Sequence, residues 1–492
     1  MPNLKVGTVP HREPDPHHPY MSGAWTPVFD EWDADDLKVI GDIPKDIDGV
    51  YLRNTENPAF GSIGLYHPFD GDGMIHAMSF REGKASYHNR FVRTKALMAE
   101  IEAGEPLWAG IADDPRLSKR PGWGAHGGLK DPSSTDVVVH AGRALSTFYQ
   151  CGDGYRLDPH TLEQFGTEGW VPFDGISAHP KVDEKTGELL FFNYSTHAPY
   201  MHYGVVGADN RLMHYIPVEL PGPRLPHDMA FTKNYSILAD LPLFWDPDIL
   251  AKGRHAARFF PDLPTRFAVI PRFGSPEQIR WFEAEPTYVL HWMNAWEEGD
   301  EIVLDGYFQE NPQPAALPTE SGDPRLGQLM AYVDEHSFKP RLHRWRFNLV
   351  TGATREERLD DRTLEFGSFN QSLSGEKSRY LYSTFTKPGW FLFEGVVKHD
   401  METGTSRTLH FGEGRFGSES PFAPRMNARS EDDGYLVSFI TDMVENRSEC
   451  VLIDARDIEA GPVCRIVLPH RIPSGTHATW ASGEFIREHK TA

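Results

Sequence analysis

Cysteine is scarce in this chain. There are three in 492 residues, Cys151, Cys450 and Cys464, and no CxxC pair. An odd count leaves one thiol over from any pairing, which argues against a disulfide framework and makes a reducing, cytoplasmic location the expectation. Long apolar runs are also missing. Nothing approaches the roughly 18 consecutive apolar residues of a membrane helix, and the N-terminal MPNLKVGTVPHREPDPHHPY lacks the apolar core of a secretory signal. Positive charge is in deficit, with 49 Lys and Arg against 71 Asp and Glu and a net charge of -22. Such a field repels nucleic acid and anionic lipid in bulk, so no nucleic-acid partner is expected. No Gly/Ser run, Pro tract or charge block divides the chain. A length prior of about 150 residues per domain would give three domains, but one closed domain over 1–492 is the better reading. GxSxG, HExxH and Walker A strings are absent, which removes the common serine-hydrolase, zincin and P-loop chemistries. One GxGxxG string, Gly412 to Gly417, leads into SESPFAP, whose prolines deny it the helix a dinucleotide site requires.

What is present is strand. DVVVH from Asp136, LLFFNY from Leu189, FAVI from Phe267, TYVLHW from Thr287, EIVLDGYF from Glu301, RYLYSTF from Arg379, YLVSFI from Tyr435, CVLID from Cys450 and CRIVL from Cys464 are short, aromatic or β-branched, and bounded by turn residues. Helical patterns are few: 95–102, 248–259 and 325–336. Strands following strands argue for an all-β closed sheet. The pattern [DN]xxTG recurs at Asp183–Gly187, Asn348–Gly352 and Asp400–Gly404, each between two strand-like runs. Asp or Asn can accept the turn's backbone N–H groups, and Gly supplies positive φ. The last two glycines are 52 residues apart, near the roughly 40–50 residues of a propeller blade. Independent hairpins give the same pattern, but a propeller also brings the inner strand of every blade to one axis.

That geometry matters for the histidines. There are 23, so a lone one carries little weight. His17 and His18 read as exposed tail, and His67 and His76 as packing beside the FDGDG turn. Four others stand in nearly charge-free contexts: His179 in SAHPK, His227 in PHDMAFT, His291 in VLHWMNAWEEGD and His477 in SGTHATW. An unpaired imidazole in an apolar run such as that around His291 is costly. Four neutral imidazoles brought to one axis suit Fe(II) that meets O2.

The chain resembles the carotenoid cleavage oxygenases, which include stilbene- and phenylpropene-cleaving bacterial enzymes. The resemblance runs through GVYLRNTENP at Gly49, HPFDGDGMIH at His67, YHNRFVRT at Tyr87, YRLDPHTLEQFG at Tyr155, AHPK, HDMAFT, HWMNAWEEGD, PFAPR, EDDGYLVSF and RIPSGTHATW. It implies a seven-bladed β-propeller with helices and loops capping the metal-bearing face. An N-terminal extension would cover about 1–25, and a cap or entrance loop would be inserted at about 238–265. The iron, Fe(2+), would be held by His179, His227, His291 and His477. Glu365 and Glu419 match two of the family's three outer carboxylates, and Gln150 stands where the third is usually Glu. The resemblance pairs Gln150 with His227, Glu365 with His291 and Glu419 with His477, and places Thr135 near an open coordination position. With Gln150 uncharged, the centre would be one negative charge short of the family pattern.

The implied activity is oxidative cleavage of a conjugated C=C bond by O2 into two carbonyl products. The stilbene-cleaving members' anchors, a Tyr in RTxxY and a Lys, are here Leu97 and Tyr149. Their loss tilts the expectation toward an apocarotenoid or similar extended alkene, with a stilbene or phenylpropene as the alternative. Phe244 and Trp245, in the entrance loop, form either an apolar lip at a bilayer surface or a seam buried beneath the lid. Lys130 reads as a solvated loop charge. No obligate protein partner is expected. Gln150, and SST where the family has ANT, also leave open a non-catalytic lipophile-binding propeller; a further branch of the family isomerises and hydrolyses.

Overall fold

The computed structural model describes residues 3–122, 129–253, 256–319, 322 and 324–490. Seven antiparallel sheets form a seven-bladed propeller. Each blade begins with a short strand at the axis and steps outward. Counting from the sheet that holds both ends of the chain, the innermost strands of the first six blades are Ala478–Ser482, Asp136–His140, Lys181–Asp183, Ala230–Phe231, Trp292–Glu298 and Glu365–Ser368. In the seventh, Arg415–Phe416 and Phe422–Pro424 both pair with Gly434–Asp442.

The ring is latched twice. The C-terminal Ala478–Ser482 pairs with Gly49–Glu56 as the inner strand of the first blade. The N-terminal Lys38–Gly41 pairs with Pro462–Val467 as the outer strand of the seventh. Strands one layer out from the axis have blades packed on both faces. Gly49–Glu56 and Gly434–Asp442 are buried at every position; the second reads accordingly as a near-continuous apolar run, whereas the first buries Arg53, Asn54, Thr55 and Glu56. Outer strands such as Thr405–His410 are largely exposed.

Six of the nine strand-like runs lie wholly within strands, and RYLYSTF and CRIVL overrun theirs by one residue. The exception is TYVLHW. Strand begins only at Trp292, and the preceding residues form a buried irregular passage that delivers His291 to the axis. The [DN]xxTG turns behave as their chemistry requires. Asn348 Oδ1 accepts from the N–H of Val350 and Thr351, and Asp400 Oδ1 from Glu402 and Thr403. Gly352 and Gly404 have φ of 77° and 68° and occupy the same outer turn of successive blades. The Asp183 turn instead joins the first two strands of its blade, so the repeat is out of register there.

Several expectations need correction. The helix expected at 248–259 is only Pro247–Leu250; Leu243–Trp245 and Ala257–Phe259 form a hairpin instead. Phe244 and Trp245 are buried, with Phe244 stacked on Phe260 and under the Arg224 guanidinium. They offer no lip to a bilayer. The third helical pattern splits into Pro324–Val333 and Glu335–Phe338. His18 is buried against Tyr66. Lys130 is also buried, its Nζ 2.6 Å from Asp72 and 2.8 Å from Glu100. The N-terminal extension tucks Tyr20 and Trp25 under the cap, where Trp25 stacks on Phe391. Among the described residues no helix is long and apolar enough to cross a membrane.

Candidate metal centre

His179, His227, His291 and His477 each lie one to three residues before the innermost strand of a blade. The propeller therefore carries all four to the axis at one end. Each offers a ring nitrogen, and these atoms all lie within 4.8 Å of one another. Imidazole bonds of about 2.1 Å to one ion would set neighbouring nitrogens about 3.0 Å apart and opposite ones about 4.2 Å, close to what is seen.

The remaining three blades supply acid at the equivalent position. Asp136 and Glu365 open the inner strands of the second and sixth blades, and Glu419 precedes Phe422–Pro424 in the seventh. His179 Nδ1 is 2.8 Å from Asp136 Oδ2, His291 Nδ1 is 2.6 Å from Glu365 Oε2, and His477 Nδ1 is 3.2 Å from Glu419 Oε2. Each carboxylate assigns the proton to Nδ1 and turns the Nε2 lone pair inward. The Nε2 atoms of His179 and His227 face each other at 3.2 Å, and His291 Nε2 is buried with no hydrogen-bond partner. Ring nitrogens converging in this way fit a cation.

The electrostatics agree. Burial holds His179 and His291 well below the ordinary imidazole value and brings His227 down to about 3, so they stay neutral and able to ligate. Burial also pulls on His477, but the hydrogen bond and charge of Glu419 outweigh it, leaving that pKa raised. Burial pushes Asp136 up to about 7 and Glu365 well above the carboxylate range.

Gln150 does not sit where the resemblance put it. Its amide donates to Tyr149 Oη at 2.7 Å, and it makes no hydrogen bond to His227. The third carboxylate is Asp136, on His179. Sequence reading passed over Asp136 although it adjoins Thr135. The signal is positional and appears once the ring is closed: every blade places its axial group within about three residues of an inner-strand start. Lys181 and Asp228 were missed as well. Lys181 Nζ is 2.7 Å from Asp228 Oδ1, and Asp228 Oδ2 accepts from Trp292 N–H, which ties the fourth blade to the fifth.

Two compartments meet at the histidines. Toward the propeller interior, an axial channel of about 150 Å³ is lined by Asp136, Lys181, Asp228 and Glu419 beside inner-strand side chains. Toward the cap lies a smaller cavity of about 70 Å³, walled by Phe69, Tyr149, Leu290, Phe338, Phe366 and Phe391, with Thr135 and Glu56 among its few polar groups. Thr135 Oγ1 accepts from Tyr149 N–H at 3.2 Å. Leu97 is elsewhere, in a core cluster with Phe60, Met74 and Phe91. Phe244 and Trp245 do not line the cavity either.

The profile of the family described as retinal pigment epithelial membrane protein matches residues 25–482. A carotenoid 9,10(9',10')-cleavage dioxygenase of Phaseolus vulgaris is 32% identical over 96% of this chain and 91% of its own. An isoeugenol monooxygenase of Pseudomonas nitroreducens is 30% identical over 94% of this chain and 98% of its own. The crystal structure of a lignostilbene dioxygenase from Pseudomonas brassicacearum superposes with a TM-score of 0.82 at 27% identity, covering 96% of this chain and all of that one. The chain belongs to this family of carotenoid cleavage oxygenases, and it is an enzyme of their dioxygenase type.

Proposed function

We propose that this protein uses Fe(2+) and O2 to cut a conjugated C=C bond into two carbonyl products. The observation that carries the reading is the convergence of four buried imidazoles where an apolar cavity meets the axis. His179, His227, His291 and His477 would hold the ion, and Asp136, Glu365 and Glu419 would orient three of them. The ferrous ion supplies the activation of O2 that no side chain can provide. The chain supplies position. Phe69, Phe366 and Phe391 wall an apolar space beside the histidines, which disfavours water, and Thr135 lines it too.

The cavity speaks to the substrate. At about 70 Å³ it is roughly half the ~150 Å³ apolar cavity that accommodates benzene elsewhere. It must open for any alkene, so its resting size does not choose between a compact aryl alkene and the extended polyene suggested by the missing phenol anchors. The carotenoid-cleaving, isoeugenol and lignostilbene relatives support a conjugated alkene of either kind. The test is mass spectrometry of products formed by iron-loaded protein under 18O2 from a panel of phenylpropenes, stilbenes and apocarotenoids. Labelled carbonyl fragments from at least one class of the panel are expected. An iron-loaded protein that cleaves none of the panel would refute the reading.

A further inference from the structure

One carboxylate faces the cavity without a metal-site task. Glu56 ends the Gly49–Glu56 strand and is almost fully buried. Its Oε1 accepts from Thr476 Oγ1 at 2.9 Å. Its Oε2 is buried and has no hydrogen-bond partner, yet Glu56 lines the cap-side cavity among Phe69, Phe366 and Phe391. An unsatisfied buried oxygen typically costs about 1–3 kcal/mol, and such a group in a native structure calls for an explanation. Thr135, Tyr149 and Thr476, also polar and in the same wall, are partly engaged. Thr135 Oγ1 accepts from a backbone N–H, and Tyr149 Oη accepts from Gln150. Thr476 donates to Glu56 itself. Glu56 Oε2 is thus an unpaired acceptor sealed in an apolar wall; a ligand reaches it as the cavity opens to admit an alkene, and can complete it only by bringing a donor.

We propose that Glu56 is a specificity-determining residue that accepts a hydrogen bond from a hydroxyl group carried by the alkene substrate. The proposal rests on the alkene-cleaving reading and names the polar group that its substrate presents. Two kinds of molecule carry that chemistry, a phenol on an aryl alkene and a ring alcohol on an apocarotenoid. Sites built to bond a substrate hydroxyl discriminate strongly against analogues that lack it, because the site's own polar group is then left bare.

Binding tests this without relying on turnover. Iron-loaded protein is titrated calorimetrically with two matched pairs: a 4-hydroxyphenylpropene and its methyl ether, and a 3-hydroxy-apocarotenal and its deoxy analogue. For at least one pair, we expect the hydroxylated member to bind tenfold or more tightly. That preference should collapse toward unity in Glu56→Leu and survive largely in Glu56→Gln, which keeps an acceptor. Iron content and melting temperature are read on each variant. A role confined to bracing Thr476 predicts lost iron or lowered melting with the preference intact, and that result would overturn the proposal. So would a wild-type protein that binds neither pair or treats the members of both alike. A hydroxyl preference without product from any alkene would leave Glu56 in place and remove the cleavage reading instead.

Discussion

The two sides of the histidine cluster solve opposite problems. On the axial side charge is abundant and mostly matched: Lys181 faces Asp228, and Asp136 and Glu419 each meet an imidazole. On the cap side the cavity walls are aromatic and the carboxyls are few and incompletely paired, as at Glu56 in the wall and Glu335 in the helix Glu335–Phe338 behind it. The difference assigns labour. Paired charge fixes the frame that holds the ligands, and the dry aromatic face receives an apolar reactant. If this division is right, substitutions on the axial side should act on metal binding and stability, and those on the cap side on ligand recognition.

The largest expected effect lies at the boundary. His291→Ala removes a ligand and leaves Glu365 buried beside a void. We expect iron content to fall to background by elemental analysis and turnover to drop at least about 10³-fold. Retained iron with full occupancy would show that the four imidazoles do not act together. Next is the axial ion pair. Lys181→Met strips Asp228 of its cation while leaving that carboxylate buried. Breaking one side of a buried pair costs about 3–5 kcal/mol; Lys181 is 28% exposed, so about 2–3 kcal/mol is expected, read as a lowered denaturant midpoint. A loss below about 0.5 kcal/mol would deny that axial charge pairing holds the frame.

The outer carboxylates come third. Glu365→Gln and Asp136→Asn each keep the side chain's shape but replace the ionisable group behind an imidazole with an amide. Loss of such a partner typically costs 10–100-fold in metal affinity, and competition with a chelator would measure it. Equal losses in the two variants would establish Asp136 as a full partner. No loss in Asp136→Asn would reduce its contact with His179 to packing.

Asp136 also marks where the sequence stopped being legible. The strands, their turns and the four histidines were readable because each has a local cause: β-branched runs, an Asx-Gly turn, an imidazole stranded in apolar sequence. Glu365 and Glu419 came from the family resemblance. Asp136 was hidden because it reads as the polar start of DVVVH, and only ring closure reveals that every inner-strand start points at one axis. Gln150 failed for the complementary reason. Alignment fixed its place in the chain but not its rotamer, and the amide found Tyr149 next door. Phe244 and Trp245 looked like an apolar lip because a hairpin seam and a membrane contact share one composition.

On the cap side, Glu335 offers a smaller test with a definite sign. It is fully buried, Oε1 has no partner, and burial pushes its pKa from 4.5 to about 8. The folded state therefore holds a proton that the unfolded chain gives up more readily. That stabilisation is complete below about pH 4.5 and is lost as pH rises through about 8. Glu335→Gln mimics the protonated form. Between pH 5 and pH 8 its melting temperature should fall less than that of the wild type. Parallel curves would mean that Glu335 does not titrate in this window.

The smallest effect is expected at Gln150. Were it the missing partner of His227, Gln150→Glu would restore a charge to the centre and tighten iron by the 10–100-fold typical of such a partner. In the structure the amide serves Tyr149 instead, and three carboxylates already stand behind the other imidazoles. The new carboxylate would accept a hydrogen bond from the Tyr149 hydroxyl, whose acidity burial suppresses, and remain apart from His227. We expect iron affinity to change by less than about threefold, below the range for a direct partner, while a ligand seated against Tyr149 shifts its affinity more. A tenfold gain in iron affinity would reverse that order and return Gln150 to the metal centre.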